Sequence, residues 1–98
     1  MFDQLQPVKL SSRAAEEVKK IMLTKNIPQG YGLRIGVRGG HGCGGAQLII
    51  GFDKQKGDDL AYINNEVNIY VDKKHMMYVI GKEVDWVDNE TERGFTFL

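Results

Sequence analysis

The sequence has 98 residues, thirteen of them basic and thirteen acidic, so its formal charge is zero. Nucleic-acid binders carry a basic stripe, and this balance argues against one; no long run of like charge suggests a tail. A chain of this length is expected to form one domain, residues 1–98, burying roughly 60 to 68% of its unfolded surface. The sequence contains one cysteine, which excludes an intrachain disulfide and gives no sign of an oxidising compartment. The opening MFDQLQPVKL has an acid at Asp3 and no apolar block, so no signal peptide is expected. The longest apolar run is Met76 to Ile80, far short of a membrane span. The expectation is a soluble cytoplasmic protein with neither nucleic acid nor membrane as partner.

In chain order, Ser11 and Ser12 precede Ala14, Ala15, Val18, Ile21 and Met22 at helical spacing. This pattern predicts a serine N-cap and an amphipathic helix, with Arg13, Glu16, Glu17, Lys19 and Lys20 left to solvent. Pro28 and Gly30 require the helix to stop before them. The period then becomes two: Leu33, Ile35 and Val37 alternate with Arg34, Gly36 and Arg38, the pattern of a half-buried strand. A glycine-rich segment intervenes before Gln47 to Asp53, a second strand with Gly51 as a candidate bulge. Lys54 to Asp59 reads as a charged turn, and Val67, Ile69 and Val71 as another strand.

Asp72 is placed to cap a short helix with Met76, Met77 and Ile80 on one face and Gly81 just past its end. The Met76-Met77 pair and Trp86 read as core, and His75 as a surface or packing residue. Val84 and Trp86 alternate with Glu83 and Asp85, and Phe95 and Phe97 close the chain as a strand. The sum is α+β with sheet predominating, one longer N-terminal helix and one short second helix.

The segment GGHGCGG, residues 39–45, places the cysteine, Cys43, between glycines. Gly40 to Gly45 matches G-x-G-x-x-G, but the dinucleotide motif must open a helix, whereas Ala46 to Ile50 is strand-like. A nucleophilic Cys43 with His41 or His75 as base would gain from a nest of backbone N–H groups, yet it also needs an orienting group and a pocket. A soft-metal reading uses the thiolate as iron or cluster ligand, with the glycines letting backbone N–H groups approach. One cysteine and two histidines fall short of four ligands, so this reading joins two Cys43 thiolates across a two-fold axis. The fourth reading is conformational: glycine eases the turn, and the cysteine is an inert small hydrophobe.

Gly30 to Arg38 (GYGLRIGVR), the glycine-flanked Cys43, the strand ending at Phe52, Asp58-Asp59-Leu60 and VNIYVD at 67–72 form an ordered series. It continues through Gly81, Val84-Asp85-Trp86-Val87 and Gly94-Phe95-Thr96-Phe97. The series resembles the A-type iron–sulfur carriers, the HesB-like family, from about Val8 to Phe97. The resemblance implies a compact β-sandwich or barrel-like fold with flanking helices. It also implies a homodimer or tetramer that binds iron or an iron–sulfur cluster and passes it from a scaffold to recipient apoproteins, with no catalysis on a substrate. The family pattern has a Gly-Cys-Ser-Gly loop and, after the last strand, a Cys-Gly-Cys tail. Here Gly44 replaces the serine, Leu48 stands at a family tyrosine position, and the loop gains a residue around His41. The sequence ends at Leu98 with a counterpart only for the first cysteine. The resemblance therefore implies metal held by Cys43; His41, which has no counterpart in the family loop, is the candidate second ligand, and Gly42, Gly44 and Gly45 are expected to shape the cluster-binding loop. The alternative is a non-metal protein-interaction module on the same fold.

Overall fold

The computed structural model describes residues 6–39 and 46–97. Its elements run β1 (Val8–Leu10), α1 (Ser12–Thr24), β2 (Tyr31–Gly39), β3 (Ala46–Lys54), β4 (Asp59–Asn64) and β5 (Val67–Asp72). A 3-10 turn (Lys73–His75), α2 (Met76–Val79), β6 (Lys82–Asp88) and β7 (Arg93–Phe97) complete the order of the described elements. Strand predominates, as expected, but the strands form two open mixed sheets. One has the order β1-β6-β7 and the other β3-β2-β5-β4. β1 runs parallel to β6 and β2 parallel to β5, whereas β2–β3, β4–β5 and β6–β7 are antiparallel.

The core joins one face of each sheet to α1. Leu33, Ile35, Val37, Val67, Ile69 and Val71 supply the four-stranded sheet's side, and Ala14, Ala15 and Val18 the helix's side. Val8, Leu10 and Val84 add the second sheet, and Val79 adds α2. The period-two and period-3.6 patterns of the sequence meet in this one cluster, which is why both are legible in the sequence alone.

Ser11 starts α1. Its extended backbone leaves the side-chain oxygen free to accept from the Ala14 N–H at 3.0 Å, satisfying a donor with no partner inside the helix. The same hydroxyl donates to Asp85 Oδ1 at 2.5 Å. Asp85 also accepts from Arg13 Nη2 at 2.5 Å and the Trp86 N–H at 2.8 Å. The alternation places Asp85 outward, yet it is buried. A carboxylate leaves water when donors surround it, and the cap of α1 supplies them.

The two sheets are bridged by side chains. β1 pairs on one side with β6. On the other, the Tyr62 hydroxyl donates to the Val8 carbonyl at 2.5 Å and accepts from its N–H at 3.2 Å. The Leu10 N–H donates to Asn64 Oδ1, and Asn65 Nδ2 donates to the Leu10 carbonyl. Buried backbone groups require partners, and β4 with its adjoining turn provides them to β1. Burial pushes the Tyr62 hydroxyl up to about 12.

Three local expectations need correction. Gly51 is no bulge: it pairs with Arg34 within a continuous β2–β3 ladder. Met77 and Ile80 are 83% and 55% exposed, and α2 instead buries Val79. Four residues make a single helical turn, so only one residue can point fully inward. Met76 and Trp86 pack partly buried against the core, Trp86 edge-on to Phe95 at 4.8 Å between centroids. Asp72 caps as expected, accepting from the Lys74 N–H, but the first turn is 3-10. Gly81 comes just after α2 with φ of +82°, the left-handed backbone that glycine adopts without strain.

Candidate functional site

His41, Gly42, Cys43, Gly44 and Gly45 lie outside the described residues. The strands on either side of them are described. β2 and β3 form a nine-residue antiparallel hairpin whose last pair is Gly39 with Ala46. Residues 40–45 are the connection between those two paired ends.

Residues opposite each other in such a ladder share a face. Leu33, Ile35 and Val37 turn to the core with Phe52, Ile50 and Leu48. Gly32, Arg34, Gly36 and Arg38 therefore lie on the outer face with Asp53, Gly51, Ile49 and Gln47. This outer face is built around one cation. Arg34 grips Asp59 through Nη1 at 2.8 Å and Nη2 at 2.6 Å, reaches Asp53 through Nε at 3.2 Å, and donates to the Lys54 carbonyl at 2.8 Å. The Asp59 side chain is 2% exposed. The hydrogen bond from Arg34 holds Asp59 below the usual carboxylate range, and that bond likewise raises Arg34. Asp53 is lowered first by the Lys54 N–H and next by Lys56.

From Arg34 toward the connected end of the hairpin, His75 lies over β2 at Gly36. A Cβ placed on Gly36 would come within 2.5 Å of His75 Nδ1, so the ring sits where only glycine leaves room. Further along the strand, a Cβ on Gly32 would come within 2.8 Å of the Asn68 carbonyl oxygen and of the Tyr70 ring. Between His75 and β3 lies a cleft of about 280 Å³, with Ile49, Gly51 and Phe52 on one side and Arg34, Asp53, Lys56 and Asp72 at its polar margin. The sequence reading of His75 as a packing residue matches its place on Gly36. The cleft itself is not legible in the sequence, because no residue pattern signals which face a 3-10 turn will cover.

Among the described residues no three His, Cys, Asp or Glu side chains are grouped so as to hold a metal ion. Arg34 and Lys56 already occupy Asp53 and Asp59, so these carboxylates are structural. The soft candidate ligand of the sequence, Cys43, lies in the 40–45 connection, outside the described residues.

Comparison with known families is decisive at this point: the sequence matches the family model described as iron-sulphur cluster biosynthesis over residues 6–97. The chain belongs to this family. It is 33% identical over 91 residues to the mitochondrial iron-sulfur cluster assembly 1 homolog of Dictyostelium discoideum, covering 91% of this chain but 65% of that protein. It therefore spans just under two thirds of that relative's length. It is 35% identical to the iron-binding protein IscA of Serratia proteamaculans, covering 92% of this chain and 82% of that one. The fold matches Escherichia coli SufA, which is involved in biosynthesis of iron-sulfur clusters. There the TM-score is 0.75 at 26% identity, over 95% of this chain and 80% of SufA. It matches in fold a crystal structure of IscA with a [2Fe-2S] cluster, also at TM-score 0.75, with 22% identity over 93% and 83% of the two chains. Family membership thus agrees with the resemblance read from the sequence. No described helix is long and apolar enough to cross a membrane.

The ion pairs set a pH effect. Asp59 and Asp85 are both lowered, Asp59 mainly by Arg34 and Asp85 mainly by the Ser11 hydroxyl. A carboxylate with a depressed folded pKa contributes stability above its unfolded value, about 4, and loses it as pH falls through the folded value. Thermal unfolding observed by circular dichroism is expected to give a level Tm from neutral pH to about 5 and a falling Tm below about 4. In Asp59→Asn the fall is shallower.

Proposed function

We propose that the protein is a carrier in iron–sulfur cluster assembly. It takes iron or an iron–sulfur cluster as cargo on the Cys43 thiolates of two copies and passes it to recipient apoproteins. The observation that carries this reading is the family match over residues 6–97 combined with a lone cysteine, Cys43, in the connection between paired hairpin ends. Thiolate is the ligand that iron–sulfur chemistry selects. A ligand flanked in the sequence by glycines, in a connection between strands, can hand its cargo on more readily than one locked in a core.

His41 is the second protein ligand on this reading. Gly42, Gly44 and Gly45 carry no side chains to keep cluster sulfurs from backbone N–H groups. Two copies supply two thiolates where one chain has one. The protein works in the cytoplasm between a scaffold and its recipients, and it makes or breaks no covalent bond in a substrate. The test is anaerobic incubation of the reduced protein with ferrous iron and sulfide, then visible absorption. Sulfide-to-iron charge-transfer bands that survive desalting are expected, together with their transfer to an added apoferredoxin. Colourless protein after desalting overturns the proposal.

A further inference from the structure

We propose that α2 and its flanks form a docking surface for an acidic recipient protein, with Met77, Tyr78 and Ile80 as its apolar centre and Lys73, Lys74 and Lys82 as its basic rim. Leu23, Ile49 and Ile63 are exposed singly along the chain, whereas the exposed Met77, Tyr78 and Ile80 fall within residues 77–80. Single exposed apolar side chains are ordinary, but a contiguous group marks a contact surface. Met77 and Ile80 stand three positions apart on one turn and so are neighbours. Tyrosine and methionine are also the types that protein contacts favour: tyrosine joins an apolar face to a polar tip, and methionine adapts its shape.

The turn is fixed from beneath. Val79 is fully buried in the core, Met76 packs partly buried against it, and the His75 ring rests on Gly36. Asp72 accepts from the Lys74 N–H at 2.9 Å. The Ile80 N–H donates to the Met76 carbonyl at 3.0 Å, and the Gly81 N–H to the Pro7 carbonyl at 2.7 Å. A backbone held this way loses little freedom when a partner binds.

The rim decides the occupant. From Lys73 to Lys82 the sequence carries three lysines and no acid. All three are exposed, and none is in an ion pair among the described residues. Lys73 stands four positions before Met77, and Lys74 four before Tyr78, so both lie beside the apolar centre. The flanking acids are turned to other work: Asp72 caps the turn, and Glu83 stands opposite Lys9 in the β1–β6 ladder. Past Gly81 the patch continues into a groove of about 190 Å³ lined by Pro7, Lys9 and Lys82. The complement of this surface is an apolar anchor ringed by Asp and Glu. A second copy of the patch would set lysines against lysines. A bilayer takes a helix with a long apolar face, and α2 has four residues. That the partner is a recipient apoprotein rests on the carrier reading. His75 lies over Gly36, three steps of β2 or ~10 Å from Gly39. A recipient on α2 is thus docked beside the hairpin whose connection contains Cys43.

The test titrates metal-free, isotope-labelled Cys43→Ser protein with an acidic apoferredoxin and follows backbone amide shifts by NMR. Saturable shifts are expected at residues 73–82 and their immediate neighbours, weakening as salt is added. Lys74→Glu and Met77→Glu are each expected to weaken binding at least about tenfold. Both side chains are exposed, so the variants keep the fold, which an unshifted urea midpoint checks. Lys25→Glu makes the same charge change at an exposed position after α1 and is expected to weaken binding less than about twofold. No saturable shifts, shifts centred elsewhere, or equal losses in Lys74→Glu and Lys25→Glu overturn the proposal. So does tighter binding of phosphatidylglycerol vesicles than of apoferredoxin, or a dimer of the metal-free protein that Met77→Glu dissociates. The carrier reading fails separately, by missing charge-transfer bands in the unaltered protein, and those bands are no part of this titration.

Discussion

Cys43→Ser is expected to abolish charge-transfer bands after anaerobic incubation with ferrous iron and sulfide, and to reduce retained iron to the level of a non-binding control. Serine keeps the size of the side chain and removes the soft, easily ionised sulfur, so the change tests ligation and not packing. No cluster of His, Cys, Asp or Glu among the described residues offers a substitute site. His41→Ala should weaken retention without abolishing it, because a thiolate pair remains. The thermal unfolding curve of Cys43→Ser should overlay that of the unaltered protein, since every described core contact is elsewhere. Bands of equal strength in Cys43→Ser would assign the cargo to other residues.

Arg34→Ala is expected to produce the largest loss of stability of any single change on the sheet's outer face. Asp59 is almost wholly enclosed and Arg34 supplies two of its hydrogen bonds. Removing one partner of a buried pair leaves the other charge without compensation, which costs about 3 kcal/mol. The Lys56 N–H remains on Asp59 and keeps the loss from being larger. For a domain of this size the expected fall in Tm is more than about 10 °C. The control is Lys19→Ala. It breaks the pair with Glu66, whose side chain is 83% exposed, and solvent screening makes that change silent. Urea unfolding distinguishes the two: a shifted midpoint for Arg34→Ala and an unshifted one for Lys19→Ala. Equal midpoints would show that Asp59 does not depend on Arg34.

Arg34 also illustrates what the sequence reveals and what it hides. The alternation of Leu33, Ile35 and Val37 with Arg34 and Gly36 announces a strand and its two faces. The helix cap at Ser11 is equally plain. What Arg34 faces is hidden, because Asp53 and Asp59 lie 19 and 25 positions away and meet it only when β3 and β4 fold onto the sheet. β4 itself escapes detection. Its inward series, Leu60, Tyr62 and Asn64, ends in a polar residue that turns inward to serve β1. β1 has three residues and owes its extended form to β6 and to those side chains, neither of which is local. Asp85 reads as outward for the same reason: its partners Ser11 and Arg13 are more than 70 positions away. The candidate ligands rest on the chemistry of the Cys43 thiolate together with the family resemblance, and the paired ends Gly39 and Ala46 are what the structure adds.

The central claim is that copies of this chain pool their Cys43 thiolates around iron. Native mass spectrometry of the anaerobically reconstituted protein tests it most directly, because it counts chains and metal in one particle. The account predicts iron and sulfide only in species with an even number of chains, and none on the single chain. Iron carried by a lone chain, or metal-free protein at every assembly size, contradicts it.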